Sequence, residues 1–212
     1  NNEYWLFQDA KLRQDFNITT GDKADDVMHY KLKSEMKAYY HKANVPTARY
    51  HIVSTLEAGK EFISKVGYPV VVKPNNGVGS SATWKICNDG ELEDFYKIQL
   101  PHEYIMEEYV PGYILSFDGI VDENNKIVYR TCHVFPNPVM EIVNGKTDCV
   151  FWNEIDIPKD LNQMGERLIH AFDLHSRFFH TEYFRMTEDK EGLGKKGDLI
   201  GLEVNMRPPG GY

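Results

Sequence analysis

Tyr68-Pro69-Val70-Val71-Val72-Lys73-Pro74-Asn75-Asn76-Gly77-Val78-Gly79-Ser80-Ser81-Ala82-Thr83 is the stretch from which the fold is read. It opens with a β-branched run, the mark of a short buried strand. The strand ends on Lys73, a loop of Gly, Asn and Ser follows, and residues 82–86 return as a second strand. A lysine at a strand end, beside backbone N–H groups that few side chains obstruct, suits phosphate oxygens. A hairpin with a flexible tip and a solvated lysine fits the stretch equally well.

Upstream, helical spacing covers residues 3–16 and is broken at Thr19-Thr20-Gly21-Asp22. A second helix is expected over 24–43, with Val27, Leu32, Met36, Tyr39 and Tyr40 on its apolar side. Asn44-Val45-Pro46 ends it, because the residue before proline avoids the helical region. A strand over 50–54 and a helix over 56–66, closed by Gly67, lead into the central stretch. Downstream come a helix over 91–98 and a strand over 104–110 that stops at Pro111-Gly112. From there the pattern is β-rich: strands over 114–121, 127–135 and 139–143, with turn signals at Asn124-Asn125 and Asn144-Gly145. A helix over 160–172, a strand over 178–186, a charged glycine-rich loop over 187–197 and a last strand over 199–206 complete the chain. A boundary near Val110 divides a mixed first half from a mainly antiparallel second half.

The bulk properties narrow the class. The 212 residues suffice for one large domain or two small ones sharing a core, and 42% hydrophobic with 26% charged residues describes an ordinary globular protein. No apolar run approaches a membrane span, and no signal peptide is visible. A net charge of -8 argues against a nucleic-acid surface. Cys87, Cys132 and Cys149 are odd in number and lack metal spacing, which fits reduced thiols in a cytoplasmic setting. The Asn17-Ile18-Thr19 glycosylation pattern has no meaning there. Residue 1 is not Met and the chain stops just after prolines and glycines, so a piece of a longer protein is expected.

The last strand is the most telling. In Leu202-Glu203-Val204-Asn205-Met206-Arg207, alternation sends Leu202, Val204 and Met206 to a core and projects Glu203, Asn205 and Arg207 from the other face. A carboxylate beside an amide oxygen suits a hard cation such as Mg²⁺, and an arginine one step further suits phosphate or carboxylate. A half-exposed strand with a polar face is the plainer reading, but Pro208-Pro209-Gly210-Gly211 is then an odd sequel. Glu182, in Thr181-Glu182-Tyr183-Phe184, supplies a second carboxylate if its strand pairs with the last one. Met106-Glu107-Glu108-Tyr109-Val110 is an edge-like strand able to offer backbone groups to an adenine ring, or simply a strand. His170, His175 and His180 lack metal spacing and read as satisfied or surface residues. His133 and Arg130 point to opposite faces of their strand, so at most one enters a given site.

Together these residues resemble the ATP-grasp superfamily of carboxylate–amine ligases, over nearly the whole chain. Three blocks in order carry the resemblance: Val72-Lys73-Pro74 with its glycine loop, residues 106–112, and the strand that contains Glu203, Asn205 and Arg207. The resemblance implies an α+β, ATP-grasp fold: two α/β subdomains, a mainly antiparallel sheet in the C-terminal half, and the nucleotide bound between them. Residues 1–20 would end a preceding domain, 21–109 form the first subdomain and 110–212 the second. In the family a helix before a Gly-Val-Pro-like turn supplies another phosphate-binding cation thirteen residues before the proline, and counting back from Pro46 lands on Lys33. Gly21-Asp22-Lys23 looks more like the family's Asp-Lys signature but sits too far upstream.

Carried over residue by residue, Lys33 and Lys73 hold the α- and β-phosphates. The Gly77, Val78, Gly79, Ser80, Ser81 loop closes over the triphosphate. Glu107 and the backbone of Glu108 and Val110 receive adenine, with Tyr109 packing behind. Glu182, Glu203 and Asn205 bind two Mg²⁺, for which Mn²⁺ can substitute. Arg207 steadies the γ-phosphate or the acyl phosphate. Ile114 departs from the pattern, because a ribose-binding glutamate often stands there. The implied activity is ATP-dependent ligation of a small-molecule carboxylate to an amine (or thiol) through an acyl phosphate, giving ADP and phosphate. No nucleic acid or membrane partner is expected, and a homodimer is compatible with this reading. A nucleotide-binding module of the same fold without turnover is the alternative, for which Ile114 is the sole hint. A protein kinase is set aside, because there the glycine loop precedes the lysine.

Overall fold

A computed structural model describes residues 5–77, 82–137, 148 and 150–210. Val78, Gly79, Ser80 and Ser81 of the glycine loop, and the strand expected over 139–143, lie outside the described residues. The chain runs α1 (Leu6–Asp15), α2 (Ala24–Val27), a 3₁₀ turn (Met28–Tyr30), α3 (Lys33–Lys42), β1 (Tyr50–Ile52), α4 (Leu56–Val66), β2 (Val70–Pro74), β3 (Trp84–Ile86), α5 (Asp89–Tyr96) and β4 (Tyr104–Glu108). It continues through β5 (Gly112–Val121), β6 (Ile127–Phe135), β7 (Trp152–Glu154), α6 (Lys159–Phe172), β8 (Arg177–Met186) and β9 (Leu199–Asn205). The strands form two sheets, β1-β4-β2-β3 and β7-β6-β5-β8-β9. Every pairing within them is antiparallel. No helix is long and apolar enough to cross a membrane, among the described residues.

Local chemistry sets the element ends. Thr55 caps α4 by accepting from Ala58 N at 3.2 Å, and Gly67 closes that helix at φ +73°, where a side chain would be strained. Asn88 caps α5 by accepting from Glu91 N at 3.0 Å, and Glu91 accepts in return from Asn88 Nδ2 at 2.8 Å. The helix expected over 24–43 is not continuous. Leu32 is extended at φ -90°, ψ 120° and bridges to Asn76. Asn75 then caps α3 from a distance: its carbonyl accepts from Lys33 N at 2.9 Å and its side-chain oxygen from Ser34 N at 2.9 Å. A tertiary cap outweighs local helical periodicity here.

Each sheet has its own core. Val70 and Val72 of β2, Ile86, Tyr104 and Met106 pack beneath Phe62, Ile63 and Val66 of α4 and Leu92 and Phe95 of α5. The second sheet buries Leu115, Phe117, Phe179, Tyr183, Val204 and others beneath α6 and α3. Met36 and Tyr40 of α3 therefore belong to the second core, although the sequence division places that helix with the first unit. Ala48, Val110, Met186 and Ile200 form a small cluster where the two halves meet. Two glycines allow close approach. A Cβ on Gly201 of β9 would stand 2.2 Å from the Tyr40 ring, and one on Gly165 of α6 would stand 2.3 Å from Phe117. Leu202 is only half-buried, contrary to strict alternation: Tyr183 faces Gly201 while Glu182 faces Glu203, so β9 carries one extra residue at a bulge. Beyond the bulge Val204 and Met206 are buried as expected.

Gly165→Ala tests the α6–β5 contact. Alanine favours a helix interior by about 1 kcal/mol over glycine, but overpacking costs about 1–3 kcal/mol. Urea unfolding should show a net loss of stability. A gain would mean that Phe117 yields without cost.

Candidate active site

Alternation turns one face of the first sheet toward the second. Val70 and Val72 face their own core, so Lys73 projects from the opposite face, as does Glu107 next to the inward Met106. The Lys73 ammonium lies 2.6 Å from Glu107 Oε2. Lys37, one helical turn after Lys33, reaches the other oxygen, Oε1, at 2.5 Å. Burial alone would raise the Glu107 carboxyl, but Lys37 and Lys73 outweigh it and hold it down at about 2. Burial likewise lowers Lys37, against the pull of Glu107. For Lys73 burial acts downward too, yet the field of Glu107 and Glu203 prevails and its pKa rises. Glu107 is thus a counter-ion of two lysines. Both of its carboxylate oxygens are engaged in this buried cluster, where the sequence expectation has Glu107 receive adenine.

Lys33, only 5% exposed, bridges the two halves. It donates to the Gly77 carbonyl at 2.7 Å and pairs with Glu203 Oε1 at 3.0 Å. Burial would raise Glu203, but Lys33 and Lys73 hold it below the usual carboxylate range. Asn75 sets the position of Lys33 through its cap. Its own amide donates to Ser34 Oγ at 2.9 Å and Glu103 Oε1 at 2.5 Å. Lys23 lies elsewhere, against the Ile18 carbonyl.

On the second sheet the hairpin through 187–197 pairs β8 with β9. Ser116, Glu182 and Glu203 line up across β5, β8 and β9, and Asp118, His180 and Asn205 form the adjacent row. Asp118, 1% exposed, accepts from Ser116 Oγ at 2.5 Å, His133 Nδ1 at 2.7 Å and His180 Nδ1 at 2.5 Å. The other nitrogen of His180 lies 3.4 Å from Glu182 Oε1. Burial would lower His180, but its bonds to Asp118 and Glu182 lift it to about 10. His180 is satisfied, as expected, though by carboxylates of the site itself. His133 is buried while Arg130 pairs with Glu166 at the surface.

Two glutamates directly opposite on neighbouring strands repel unless a cation stands by. Here Lys33 serves Glu203 and His180 serves Glu182. Among the described residues, no three His, Cys, Asp or Glu side chains converge as a ready-made metal cage. Two carboxylates and the Asn205 amide are an all-oxygen partial set. It fits a hard cation such as Mg²⁺, which takes oxygen ligands. Arg207 is half-buried next to this strand and donates to the Pro208 carbonyl at 3.1 Å. At the strand joining the halves, Glu108 is buried and gripped by Arg49 Nε at 2.9 Å and Nη2 at 2.6 Å. Its backbone N–H donates to the Arg49 carbonyl. Lys190, from the loop that carries no readable chemistry in sequence, donates to the Tyr109 carbonyl at 2.7 Å. Lys85 lies over the Tyr109 ring at 4.3 Å, and Val110 is buried in the junction cluster. Ile114 is buried, flanked in register by Phe135 and Phe184.

Residues 33–104 match the family model of the carbamoyl-phosphate synthase L chain, ATP binding domain. The chain is 28% identical over 112 residues to the carbamoyl phosphate synthase large chain of Agathobacter rectalis, covering 51% of this chain and 10% of that one. It is 31% identical over 103 residues to the chloroplastic phosphoribosylamine–glycine ligase of Arabidopsis thaliana, covering 45% and 19%. Among solved structures it resembles an L-amino acid ligase from Bacillus licheniformis (TM-score 0.72, 19% identity, 97% of this chain and 47% of that one). It also resembles the biotin carboxylase domain of the Hydrogenobacter thermophilus 2-oxoglutarate carboxylase, solved with MgADP (TM-score 0.74, 18% identity, 96% and 46%). The chain has the ATP-grasp fold. It spans a minor part of the curated relatives and about half of these two structures.

Three residues escaped the sequence reading: Lys37, Asn75 and Asp118. Lys37 was legible as the next position on Lys33's helix face. Asp118 lies on the strand expected over 114–121 and carries no role in that reading.

The raised pKa of His180 sets a pH dependence. Its ion pairs stabilise the fold fully below 6.5, its ordinary value, and lose that contribution as pH rises toward about 10. Urea unfolding of wild type and Asp118→Asn should show a wild-type advantage at pH 6.5 that shrinks by pH 10. A constant advantage would contradict a charged His180.

Proposed function

We propose that this chain is the nucleotide-binding part of an ATP-dependent ligase that joins a small-molecule carboxylate to an amine through an acyl phosphate. The observation that carries the reading is the Lys33–Glu203 pair at 3.0 Å, in which a cation anchored on the Gly77 carbonyl beside the first sheet meets the polar strand of the second. The fold, and relatives whose names denote ligases and a synthase, support it.

In this reading Lys33 and Lys73 turn from their carboxylates to the α- and β-phosphates. The backbone between Glu108 and Val110 meets the adenine edge, with Tyr109 behind. Glu182, Glu203 and Asn205 would hold Mg²⁺ (or Mn²⁺), which would supply neutralisation of the triphosphate's charge. Arg207 steadies the transferred phosphoryl group. A substrate carboxylate oxygen attacks the γ-phosphorus and ADP departs. The amine then attacks the acyl carbon and phosphate leaves. No nucleophilic side chain is needed, so the chain's contribution is positioning and charge. Gly77 begins the loop that excludes water from the acyl phosphate. The setting is cytoplasmic, in keeping with free Cys87 and with Cys132, whose thiol burial pushes up to about 12.

Titration calorimetry with ATP tests this. Binding in the micromolar range, about -8 kcal/mol, should require Mg²⁺ and weaken at least about tenfold in Lys73→Ala, the loss of one charge-assisted contact. Glu182→Gln with Glu203→Gln should abolish the Mg²⁺ dependence. Unchanged Mg²⁺ dependence in that double variant would remove the metal assignment.

A further inference from the structure

One buried cation has no role in the reaction above. Lys37 sits one turn beyond Lys33, 9% exposed, with its ammonium 2.5 Å from Glu107 Oε1 and 3.4 Å from the Ala48 carbonyl. The Tyr50 ring lies 5.7 Å away. Glu107, 5% exposed, thereby serves two lysines, one on each oxygen.

The other carboxylate–lysine pair of the site differs. Glu203 is in direct contact with Lys33, and Glu182 and Asn205 stand beside it. If Lys33 turned to a phosphate, Glu203 would be left among the groups that would hold the divalent cation of the proposed site. Glu107 stands on the other sheet, with no second carboxylate in its row: its register neighbours are Val71 and Tyr50. If Lys73 left Glu107 for a phosphate and nothing else stood by, a buried carboxylate would be stranded. Stranding a buried charge costs several kcal/mol, and that cost would be subtracted from nucleotide affinity.

We propose that Lys37 is a positioning residue: it is the permanent counter-ion of Glu107, and it frees Lys73 to exchange from Glu107 to the nucleotide's phosphates. The inference rests on the nucleotide reading above and deepens it. It assigns the two lysines on one carboxylate distinct tasks. Lys73 moves, and Lys37 stays.

The test compares ATP with adenosine, which has no phosphates, by calorimetry in Mg²⁺ buffer on the full chain. Lys37→Met keeps the buried stem and removes the charge. It should weaken ATP about tenfold or more and leave adenosine unchanged. Adding Glu107→Gln to Lys37→Met removes the carboxylate that would sequester Lys73, and should return ATP affinity to within about threefold of wild type. Lys37→Arg should retain ATP binding. If Lys37→Met fails to fold, judged by thermal melting, Lys37→Gln carries the same expectations. Equal loss of ATP and adenosine, an unchanged ATP affinity, or a further loss on adding Glu107→Gln would overturn the proposal. Wild type that binds neither ligand would instead overturn the nucleotide reading.

Discussion

A buried charge needs a partner, and this constraint shapes the junction between the two sheets. Glu107, Lys37, Lys33 and Asp118 are each nine-tenths or more buried. Removing such groups from water costs several kcal/mol apiece unless opposite charges and hydrogen bonds compensate. Every one is compensated across an element boundary: Lys37 and Lys73 on Glu107, Lys33 on Glu203, His133 and His180 on Asp118. The sheets are brought together with their polar faces toward each other, while their apolar faces are covered by separate helices.

That arrangement is costly as a means of stability, since buried ion pairs are often no better than apolar packing. It makes sense as a site. Lysines and carboxylates are held 2.5 to 3.0 Å apart, an arrangement that on the proposed reading would need little reorganisation for phosphate oxygens to replace carboxylate oxygens around the ammonium groups. Asn75 is central to this preorganisation. It follows the Lys73 strand, and it caps the helix that carries Lys33 and Lys37, so one residue sets the relation between all three lysines. Arg49 and Lys190 act on the connection between the halves, by gripping Glu108 and the Tyr109 carbonyl.

Much of this was legible in the sequence, for identifiable reasons. Lys73 ends a β-branched run, and period-two alternation assigns its face without knowledge of the partner strand. Glu182 and Glu203 face each other because a hairpin through 187–197 is the short connection available to their strands. Other features depend on contacts distant in the chain. The break before Lys33 comes from Asn75, 41 residues beyond Ser34, so local helical periodicity ran through it. The half-buried Leu202 follows from a bulge beside Gly201, whose place inside the strand is a bulge signal that strict alternation passes over. Glu107's role depends on Lys37 and Lys73, which reach it from a helix and a neighbouring strand. The short strand β7, paired with β6, lies in a stretch without clear alternation.

On the proposed reading the lysine–carboxylate junction is a nucleotide and metal site. A crystal structure with Mn²⁺ and a non-hydrolysable ATP analogue tests it most directly, because manganese is located by its anomalous scattering. A manganese peak is expected at the carboxylates of Glu182 and Glu203 and the amide oxygen of Asn205. Phosphate oxygens are also expected at hydrogen-bond distance, about 2.7–3.2 Å, from the ammonium groups of Lys33 and Lys73. A nucleotide bound elsewhere, with Lys33 still on Glu203 and Lys73 still on Glu107, would contradict that reading.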